Sequence, residues 1–448
     1  MKIVITIHHF PPNYNAGAEI YAYRLAKWLL HQGHQVHVVS VESVSHVSSQ
    51  ELTVVEEPYE GIPVSRLYFN YDDVKDPFRA SYQNCTIGKW FAEFLEREKP
   101  ELVHVNSCYL LSAETIFAAK QEQLPVIVTL HDFWFVCPRI ILLRTNGDLC
   151  EVPEDPVECV WCLAGERRRF RIPDVITGGV LGSVAHQVLH SDVVSGALGF
   201  YPDAHEIAFR REYLIGALQQ ANLILTPSEF LRDVYISQGI SPEKIQYSRQ
   251  GLDTSIWATP QPVERNSGDG LRIVYIGQLA KHKGVHLLVE AFTQLDLSEQ
   301  KAHLKIYGGL NTFPKYVAKL KQMANGNPAI EFAGRFDNPL VSQILAEADV
   351  VVVPSIWYEN SPMAIMEPLT AGVPVVTANL GAMPEMVKHD VNGLLFEGRN
   401  AADLSVQLQR LLDEPDLLAH LSANAKPVRM LDEEMQHILS VYDKVISE

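Results

Sequence analysis

The chain has 448 residues, a formal net charge of −17, 47% hydrophobic residues and 20% charged residues, which predicts a soluble globular protein of two or three domains. The acidic charge argues against a general nucleic-acid binder, because phosphate contacts need a basic surface. No apolar run approaches the ~20 residues that span a bilayer, the opening MKIVITIHHFPP is too short for a signal peptide, and six cysteines in so long a chain favour a reducing cytoplasm.

Short runs rich in β-branched residues recur along the chain, and helical patterns follow them. They are KIVITI, QVHVVSV, ELVHVN, PVIVTL and NLILTP in the first half, and LRIVYIG, HLKIYGG, AIEFAG, VVVVPS and VPVVTA in the second. Near-continuous apolar runs are typical of strands buried on both faces of a parallel sheet. Because the alternation of strand and helix occurs twice, the sequence predicts two doubly wound, Rossmann-like α/β domains, at 1–255 and 271–426.

Three segments fall outside this alternation. The stretch 256–270 contains Pro, Gly and Asn and is expected to link the domains. Apolar residues at helical spacing predict one long amphipathic helix within 427–448. Between LHDFW and NLILTP, strand–helix alternation is not evident, so we interpret about 137–215 as an insertion in the first domain.

The stretch ENSPMAIMEPLTAGVP places two carboxylates around a predicted helix. We expect this helix to start where a strand ends, with Ser361 as N-cap and Pro362 as first helical residue. Gly372 would follow its last turn and end it. Helix N-termini at strand ends bind phosphate, whereas the carboxylates of Glu359 and Glu367 accept hydrogen bonds from hydroxyl groups. A ligand with a ribose, a diphosphate and a sugar in a row would offer hydroxyl groups to both carboxylates and phosphate to the helix N-terminus. The alternative is two solvated glutamates.

The longer segment ENSPMAIMEPLTAGVPVVTANLGAMPEMV resembles the E-x7-E signature of the family-4 retaining glycosyltransferases, which have the GT-B fold of two Rossmann-like domains facing a central cleft. Three other segments resemble, in the family's order, its glycine loop, its phosphate-binding loop and its base pocket: PPNYNAGAEIYAYRLAKWLLHQGHQVHVVS, VYIGQLAKHKGVHLLVEAF and IEFAGRFDNPLVSQILAEADVVVVPS. The resemblance covers nearly the whole chain except the insertion. It implies retaining transfer of a sugar from a nucleotide-diphosphate sugar to a hydroxyl of a glycan, lipid-linked sugar or small molecule, in polysaccharide, glycolipid or glycoconjugate synthesis.

The resemblance also implies roles for single residues. Glu367 would bind the ribose, Glu359 the donor sugar and Lys283 the diphosphate, while Gly17 would admit the phosphates and His131 would lie near the transferred sugar. His131, Glu359 and Lys283 form the catalytic set; the other donor-binding candidates are Gln278, Asn360, Ser361 and, near the base, Gly334 and Arg335. Without the resemblance, a turn histidine, a turn glycine and a surface lysine explain three of these residues equally well.

One position departs from the family pattern. The family often has Arg where this chain has Gln278, which lacks the charged, bidentate guanidinium; Lys281 or His282 could compensate. The sequence contains no D-x-D pair of aspartates, so we expect catalysis without a metal ion or other cofactor. The family implies attack on the donor's front face, with a phosphate oxygen taking the acceptor's proton.

The insertion carries its own candidate site. The spacing C-x12-C-x8-C-x2-C is compatible with a structural zinc site or with buried reduced thiols, and disulfides come last; the cysteines are Cys137, Cys150, Cys159 and Cys162. A basic run would face an anionic acceptor, a membrane's inner surface or solvent; it comprises Arg167, Arg168, Arg169 and Arg171. The apolar segment that follows, with His186, His190 and Asp192, is interpreted as a lid or acceptor-site helix.

Other classes of protein share parts of this pattern. A sugar-nucleotide epimerase or a phosphorylase would share the architecture, and a non-catalytic sugar-nucleotide-binding protein would keep the fold without the chemistry. A nicotinamide dehydrogenase is disfavoured, because no G-x-G-x-x-G follows the first strand.

Overall fold

The computed structural model describes residues 1–44, 52–152, 154–178, 180–182, 184, 200–261, 263, 270–298 and 301–447. The chain divides into two compact units. Unit 1 comprises Met1–Pro227, Leu231–Ser248 and Met435–Glu448, and unit 2 comprises Ser228–Phe230 and Arg249–Glu434.

Unit 1 is built on an eight-stranded sheet in the order β3-β4-β2-β1-β5-β6-β7-β8, parallel throughout except for the pair β3–β4. The strands are β1 Lys2–Ile7, β2 Gln35–Ser43, β3 Thr53–Glu56, β4 Val64–Phe69, β5 Leu102–Val105, β6 Val126–Thr129, β7 Leu223–Thr226 and β8 Ile245–Tyr247. The central strands β1, β5 and β6 are almost wholly buried, as their continuous apolar sequences require.

The described helices of the first part of the chain cover this sheet and build the insertion. They are α1 Gly17–His31, α2 Pro77–Ala80, α3 Cys85–Glu98, α4 Glu114–Gln121, α5 Pro156–Ala164, α6 Arg168–Ile176, α7 Ala204–Gln220 and α8 Glu229–Ser237. The helix α7 buries Ile207, Leu214 and Leu218 and leads directly into the region of β7. The predicted insertion, 137–215, therefore ends inside a helix that belongs to the unit's core.

Unit 2 is built on a six-stranded parallel sheet in the order β11-β10-β9-β12-β13-β14. Its strands are β9 Leu271–Ile276, β10 Ala302–Tyr307, β11 Ile330–Gly334, β12 Val350–Val353, β13 Val375–Ala378 and β14 Gly393–Phe396. Its helices are α9 Val285–Thr293, α10 Pro314–Ala324, α11 Val341–Ala346, α12 Met363–Thr370, α13 Met383–Met386, α14 Ala401–Asp413 and α15 Leu417–Asn424. A single large apolar core lies between this sheet and its helices.

The last helix, α16 Leu431–Ser447, begins in unit 2 and continues in unit 1. In unit 1, Tyr442 is completely buried and its hydroxyl lies 2.5 Å from Nδ1 of His104, while Nε2 of the same imidazole lies 2.7 Å from Thr129 Oγ1. The residues 435–447 are therefore part of the core of unit 1.

The predicted fold class, two α/β domains with parallel sheets, is confirmed. Residues 262 and 264–269 of the predicted linker lie outside the described residues, as do His186, His190 and Asp192 and most of the apolar segment that carries them. Within the described residues, every helix is too short or too polar to cross a membrane.

Candidate functional site

The strand order of unit 2 determines where its functional loops meet. From β9 the chain proceeds to β10 and β11 on one side, and then returns to β12 on the other side of β9. In open parallel sheets, ligands bind outside the carboxyl ends of the strands at such a point of reversal. The loop with Lys283 follows β9 and the loop with Glu359 follows β12, so both candidates lie at this switch point.

These two loops are held tightly together. The Ile356 amide donates to the His282 carbonyl at 2.9 Å. Gly284 has φ +71°, and a Cβ there would lie 1.8 Å from the Pro354 carbonyl oxygen. Only glycine permits both this backbone conformation and this close approach, which fixes the position of Lys283 immediately before it.

Lys283 and Glu359 are in direct contact. The Lys283 Nζ donates to Glu359 Oε1 at 2.7 Å and lies 4.9 Å from the centre of the Trp357 ring. The same Oε1 accepts hydrogen bonds from Ser355 Oγ and Trp357 Nε1, each at 2.7 Å. Burial acts to raise the pKa of Glu359, but the charge of Lys283 and the hydrogen bonds outweigh it, so the pKa lies below its usual value. A buried carboxylate thus fixes an ammonium group at the strand ends.

The helix that carries Glu367 starts differently from the prediction. Ser361 was expected to be the N-cap, but helix α12 begins at Met363 with Pro362 as its N-cap and no side-chain cap hydrogen bond. Pro362 has the extended ψ of 112° expected of an N-cap residue, and the Ser361 hydroxyl instead lies 3.7 Å from Met366 Sδ. Glu367, half-buried, lies one turn into the helix.

A cavity of about 440 Å³ lies beyond the ends of β10 and β11, next to the same switch point. It is lined by Gly309, Leu310, Asn311, Thr312, Gly334 and Arg335. The Arg335 guanidinium reaches Thr312 Oγ1 at 3.4 Å. The two residues predicted to lie near the base thus line a cavity within the unit that carries Lys283.

The three other predicted donor contacts lie in these loops. Gln278 follows β9 with an exposed side chain, and its backbone carbonyl accepts from the Tyr275 hydroxyl at 2.8 Å. Asn360 and Ser361 follow Glu359 directly and are partly buried. The predicted residues of unit 2 are therefore grouped around the ends of β9 to β12, and their roles remain predictions.

In unit 1 the corresponding switch point lies between β1 and β5. His131, just after β6, has Nε2 3.4 Å from Asn106 Oδ1, and its ring packs at 4.8 Å against Tyr21. Burial, assisted by the charge of His8 and opposed by Glu19, lowers the pKa of His131 to about 3. His131 is thus a neutral imidazole at pH 7.

Sequence reasoning missed the neighbours of His131. His8 follows β1, and its Nε2 lies 3.3 Å from Oε1 of the buried Glu19 in helix α1. Among the described residues, His8 Nδ1 and Asn106 Nδ2 are buried without a hydrogen-bond partner. Their position in the sequence could have identified them, since His8 and Asn106 follow the carboxyl ends of the adjacent strands β1 and β5, where ligands bind in parallel sheets.

Gly17, the first residue of α1, is exposed. A Cβ at this position would meet no atom within 4 Å among the described residues. The packing of unit 1 therefore does not require glycine here, and the role that the resemblance implies for it remains a prediction.

The insertion brings its four cysteines to the wall of one small cavity: Cys137, Cys150, Cys159 and Cys162, all free thiols. Burial raises the pKa of Cys150 and Cys159 to about 12. As they stand among the described residues, no three Cys, His, Asp or Glu side chains have the geometry of a metal site. The arginines of the basic run, 167–169 and 171, are exposed.

Comparison with known families divides the chain as its fold does. The model of the family "Glycosyl transferases group 1" matches residues 259–428, and that of "Glycosyltransferase Family 4" matches residues 15–149. An uncharacterized glycosyltransferase of Methanocaldococcus jannaschii is 26% identical over 54% of this chain and 63% of its own length. A glycogen synthase of Mycobacterium tuberculosis is 28% identical over 50% of this chain and 52% of its own length. The chain thus spans between half and two thirds of the length of these curated relatives.

Solved structures share the fold across nearly the whole chain. Sucrose-phosphate synthase from Thermosynechococcus elongatus superposes with a TM-score of 0.65 at 16% identity, covering 100% of this chain and 99% of its own. Anabaena HepE in complex with UDP gives 0.66 at 17% identity, covering 99% and 100%. At such identities the likeness establishes the fold alone. With both family matches on two parallel-sheet domains, the chain belongs to the family-4 glycosyltransferases of GT-B fold.

Proposed function

We propose that this protein transfers a sugar from a nucleotide-diphosphate sugar to an acceptor hydroxyl, with retention of the anomeric configuration. The observation that carries the proposal is the contact between Lys283 and Glu359 at the switch point of unit 2, beside the start of helix α12 and the cavity at Arg335. The site supplies a cation, helix amides and a carboxylate within one unit. HepE, which shares the fold, is known in complexes with UDP and UDP-glucose.

The Lys283–Glu359 pair suits a group that gains negative charge during reaction. Among the described residues, the three hydrogen bonds that the Glu359 carboxylate accepts all end on Oε1, so in this proposal Oε2 accepts from a hydroxyl of the donor sugar. Lys283 is fixed before the donor arrives, so it needs little reorganisation to stabilise a leaving diphosphate. Its stabilisation grows as the anomeric C–O bond breaks, because charge then concentrates on the phosphate.

The other residues complete the donor site in this proposal. Glu367 accepts from the ribose hydroxyls, the backbone and side chains of Gln278, Asn360 and Ser361 contact the diphosphate or sugar, and Gly334 and Arg335 lie by the base. Gln278 can donate hydrogen bonds but brings no charge, so Lys283 carries more of the neutralisation than in relatives with Arg at that position. The neutral imidazole of His131 can hydrogen-bond a sugar hydroxyl but cannot neutralise phosphate.

In the proposed step, the acceptor oxygen bonds to the anomeric carbon on the face from which the diphosphate leaves. The bond between this carbon and the phosphate oxygen breaks, and its electron pair goes to the diphosphate. A phosphate oxygen takes the acceptor's proton, so the products are the glycoside and a nucleoside diphosphate. The absence of a D-x-D pair in the sequence favours protein cations over an acid-bound metal ion as the source of neutralisation.

The test uses the full chain with a panel of uridine, guanosine and adenosine diphosphate sugars and mixed glycan acceptors, and follows release of nucleoside diphosphate. We expect Lys283→Ala to lower turnover about a hundredfold, equivalent to about 3 kcal/mol, and excess chelator to leave the wild-type rate unchanged. Lys301→Ala is the matched control, since Lys301 is exposed at the opposite end of β10.

Other outcomes would overturn the proposal. Conversion of one nucleotide sugar into another would indicate an epimerase, and consumption of inorganic phosphate a phosphorylase. Binding of donors without turnover would indicate a non-catalytic protein. Activity lost with chelator and restored by magnesium, together with a normal Lys283→Ala rate, would refute the assigned source of neutralisation.

A further inference from the structure

The four cysteines of the insertion approach one another through different elements of unit 1. Cys137 ends a turn in which its amide donates to the Phe133 carbonyl at 2.7 Å, and the Cys150 amide donates to the Leu142 carbonyl at 2.9 Å. Cys159 and Cys162 stand three residues apart on α5, and residues at that spacing share one face of a helix. Two loop thiols thus face two helix thiols across one cavity. We propose that these four cysteines bind one zinc ion, which fixes the insertion to the domain.

The cavity has the size of a single small ligand. Its volume is about 20 Å³, and a cavity needs ~10–15 Å³ to hold one water molecule. Zinc takes four sulfur ligands in a tetrahedron at about 2.3 Å. The thiols that the structure describes surround this space without yet forming that tetrahedron, and turning a cysteine about its single χ1 bond moves its sulfur between staggered positions without moving the backbone.

The lining of the cavity carries both signs of charge: Arg139 and Arg144, and Glu154 and Glu158. Four thiolates and one Zn²⁺ carry a net charge of −2, which a buried site must compensate. The Arg139 guanidinium already donates to Cys162 Sγ at 3.8 Å. Arg144 also lines the cavity, but its guanidinium donates to Glu158 at 2.8 Å and to Glu154 at 2.6 Å, whereas Arg139 contacts a cysteine sulfur directly.

Arg211 gives the independent observation. It lies one turn after Ile207 on α7, and Ile207 packs with Val157 and Val160 of α5. The Nε and Nη2 of Arg211 are buried and have no hydrogen-bond partner among the residues that the structure describes. Buried N–H donors without acceptors are costly. A zinc-bound thiolate of Cys159 would supply an acceptor that a neutral thiol supplies weakly. The orphaned donors are thus explained by an anionic cluster beside them.

A metal at this position would also shape a larger space. A cavity of about 490 Å³ in unit 1 takes part of its wall from the insertion, through Pro138, Val160 and Leu163, each adjacent in sequence to a cysteine of the cluster. Zinc would therefore fix that wall against Trp134 and Tyr109 on the other side.

The first measurement is the metal content of the full chain purified under reducing conditions without chelator. We expect about one zinc per chain by mass spectrometry of the metal, and four thiols that react with a thiol reagent only after a strong chelator is added. Replacing zinc by cobalt should give the visible bands of a tetrahedral thiolate centre. Cys159→Ser and Cys162→Ser should each lose the metal, whereas the matched control Cys85→Ser, an exposed cysteine outside the cluster, should keep it.

A second variant tests the surroundings without removing a ligand. Arg211→Gln should still fold and should weaken zinc affinity about 10–100-fold in competition with a chelator, as loss of a supporting contact does. Four reactive thiols and no zinc in the wild type would overturn the proposal. A mass lower by two hydrogens per cysteine pair would instead show disulfides, and stoichiometric iron with visible absorption an iron–sulfur cluster; either result would also overturn it.

Discussion

The contact between Lys283 and Glu359 predicts a measurable loss of local stability when Lys283 becomes Met. The variant keeps the length of the side chain and its apolar stem but removes the ammonium group. The Glu359 carboxylate, whose side chain is 9% exposed, then keeps only its two neutral donors, Ser355 and Trp357. A hydrogen bond to a charged group contributes about 1.5–3 kcal/mol, and we take about 2 kcal/mol because the Lys283 side chain is 25% exposed. The carboxylate that remains is buried, so its lost partner is not simply replaced by water.

Hydrogen exchange measures this loss where it occurs. Amides of the two loops, 277–284 and 354–361, should exchange about thirtyfold faster in Lys283→Met, since 1.4 kcal/mol corresponds to a factor of ten. Glu359→Gln in the same chain should restore part of the protection, because it removes the buried charge. The matched control, Lys301→Met, should leave both loops unchanged.

The effect should depend on pH with a definite sign. The pKa of Glu359 is lowered in the folded protein, so its contribution to stability is present above the unfolded pKa and is lost as the pH falls through the folded pKa. The difference between wild type and Lys283→Met should therefore shrink in acid. A difference that stays constant with pH, or a double variant no better protected than the single one, would refute the reasoning.

Four further predictions concern other residues. Gly284→Ala should destabilise unit 2 by about 2–5 kcal/mol in urea unfolding, through backbone strain at positive φ and overlap of the new Cβ with Pro354. Gly372→Ala is the control: its φ is +76° but no atom lies near its Cβ position, so it should lower the free energy of unfolding by about 1–2 kcal/mol. Equal losses in the two variants would contradict the overlap. Glu367→Ala should weaken nucleoside diphosphate binding in calorimetry by about 1.5–3 kcal/mol, and unchanged affinity would remove the ribose assignment. His131→Ala should lower turnover more than donor affinity, and the reverse pattern would displace it from the sugar. Burial lowers the pKa of His104 to about 3, so below pH ~6.5 the unfolded chain binds a proton that the folded protein does not bind. The free energy of unfolding should therefore fall as the pH drops from 7 to 5, and His104→Gln should make this fall smaller. An unchanged pH dependence in His104→Gln would contradict the assignment to this imidazole.

Hydrophobic pattern predicted the fold because the buried strands of parallel sheets are continuous apolar runs. All ten such runs are strands, from β1 to β13. Strand β4 was missed because its sequence VSRLYF contains Arg66, which is buried through its ion pair with Glu42 at 3.0 Å. Pairing over a distance of 24 residues is invisible to a local pattern.

The site was predicted residue by residue but not as an arrangement. Motif resemblance identified Lys283 and Glu359 separately. These residues are 76 positions apart in the sequence, and their contact depends on β9 and β12 being neighbours in the sheet. Ser361 was wrongly predicted as the N-cap, since serine is a good cap in general and the extended backbone of Pro362 decided otherwise. His8 lies outside the segments that carry the resemblance, and Glu19 lies inside the glycine-loop segment without having been singled out; only the folded sheet shows them beside His131.

Helix α16 has a consequence for how the chain folds during synthesis. The side chain of Tyr442 completes the core of unit 1 against His104, although the sheet of unit 2 and its helices α9 to α15 are translated before it. Unit 2 can close its own core while the chain still lacks residues 435–447. Unit 1 cannot complete its core until these residues are made, and until then the imidazole of His104 lacks its cover by Tyr442. Unit 1 is synthesised first but should reach its final stability last, and a released chain that ends at Glu434 should show a protease-resistant unit 2 beside a susceptible unit 1.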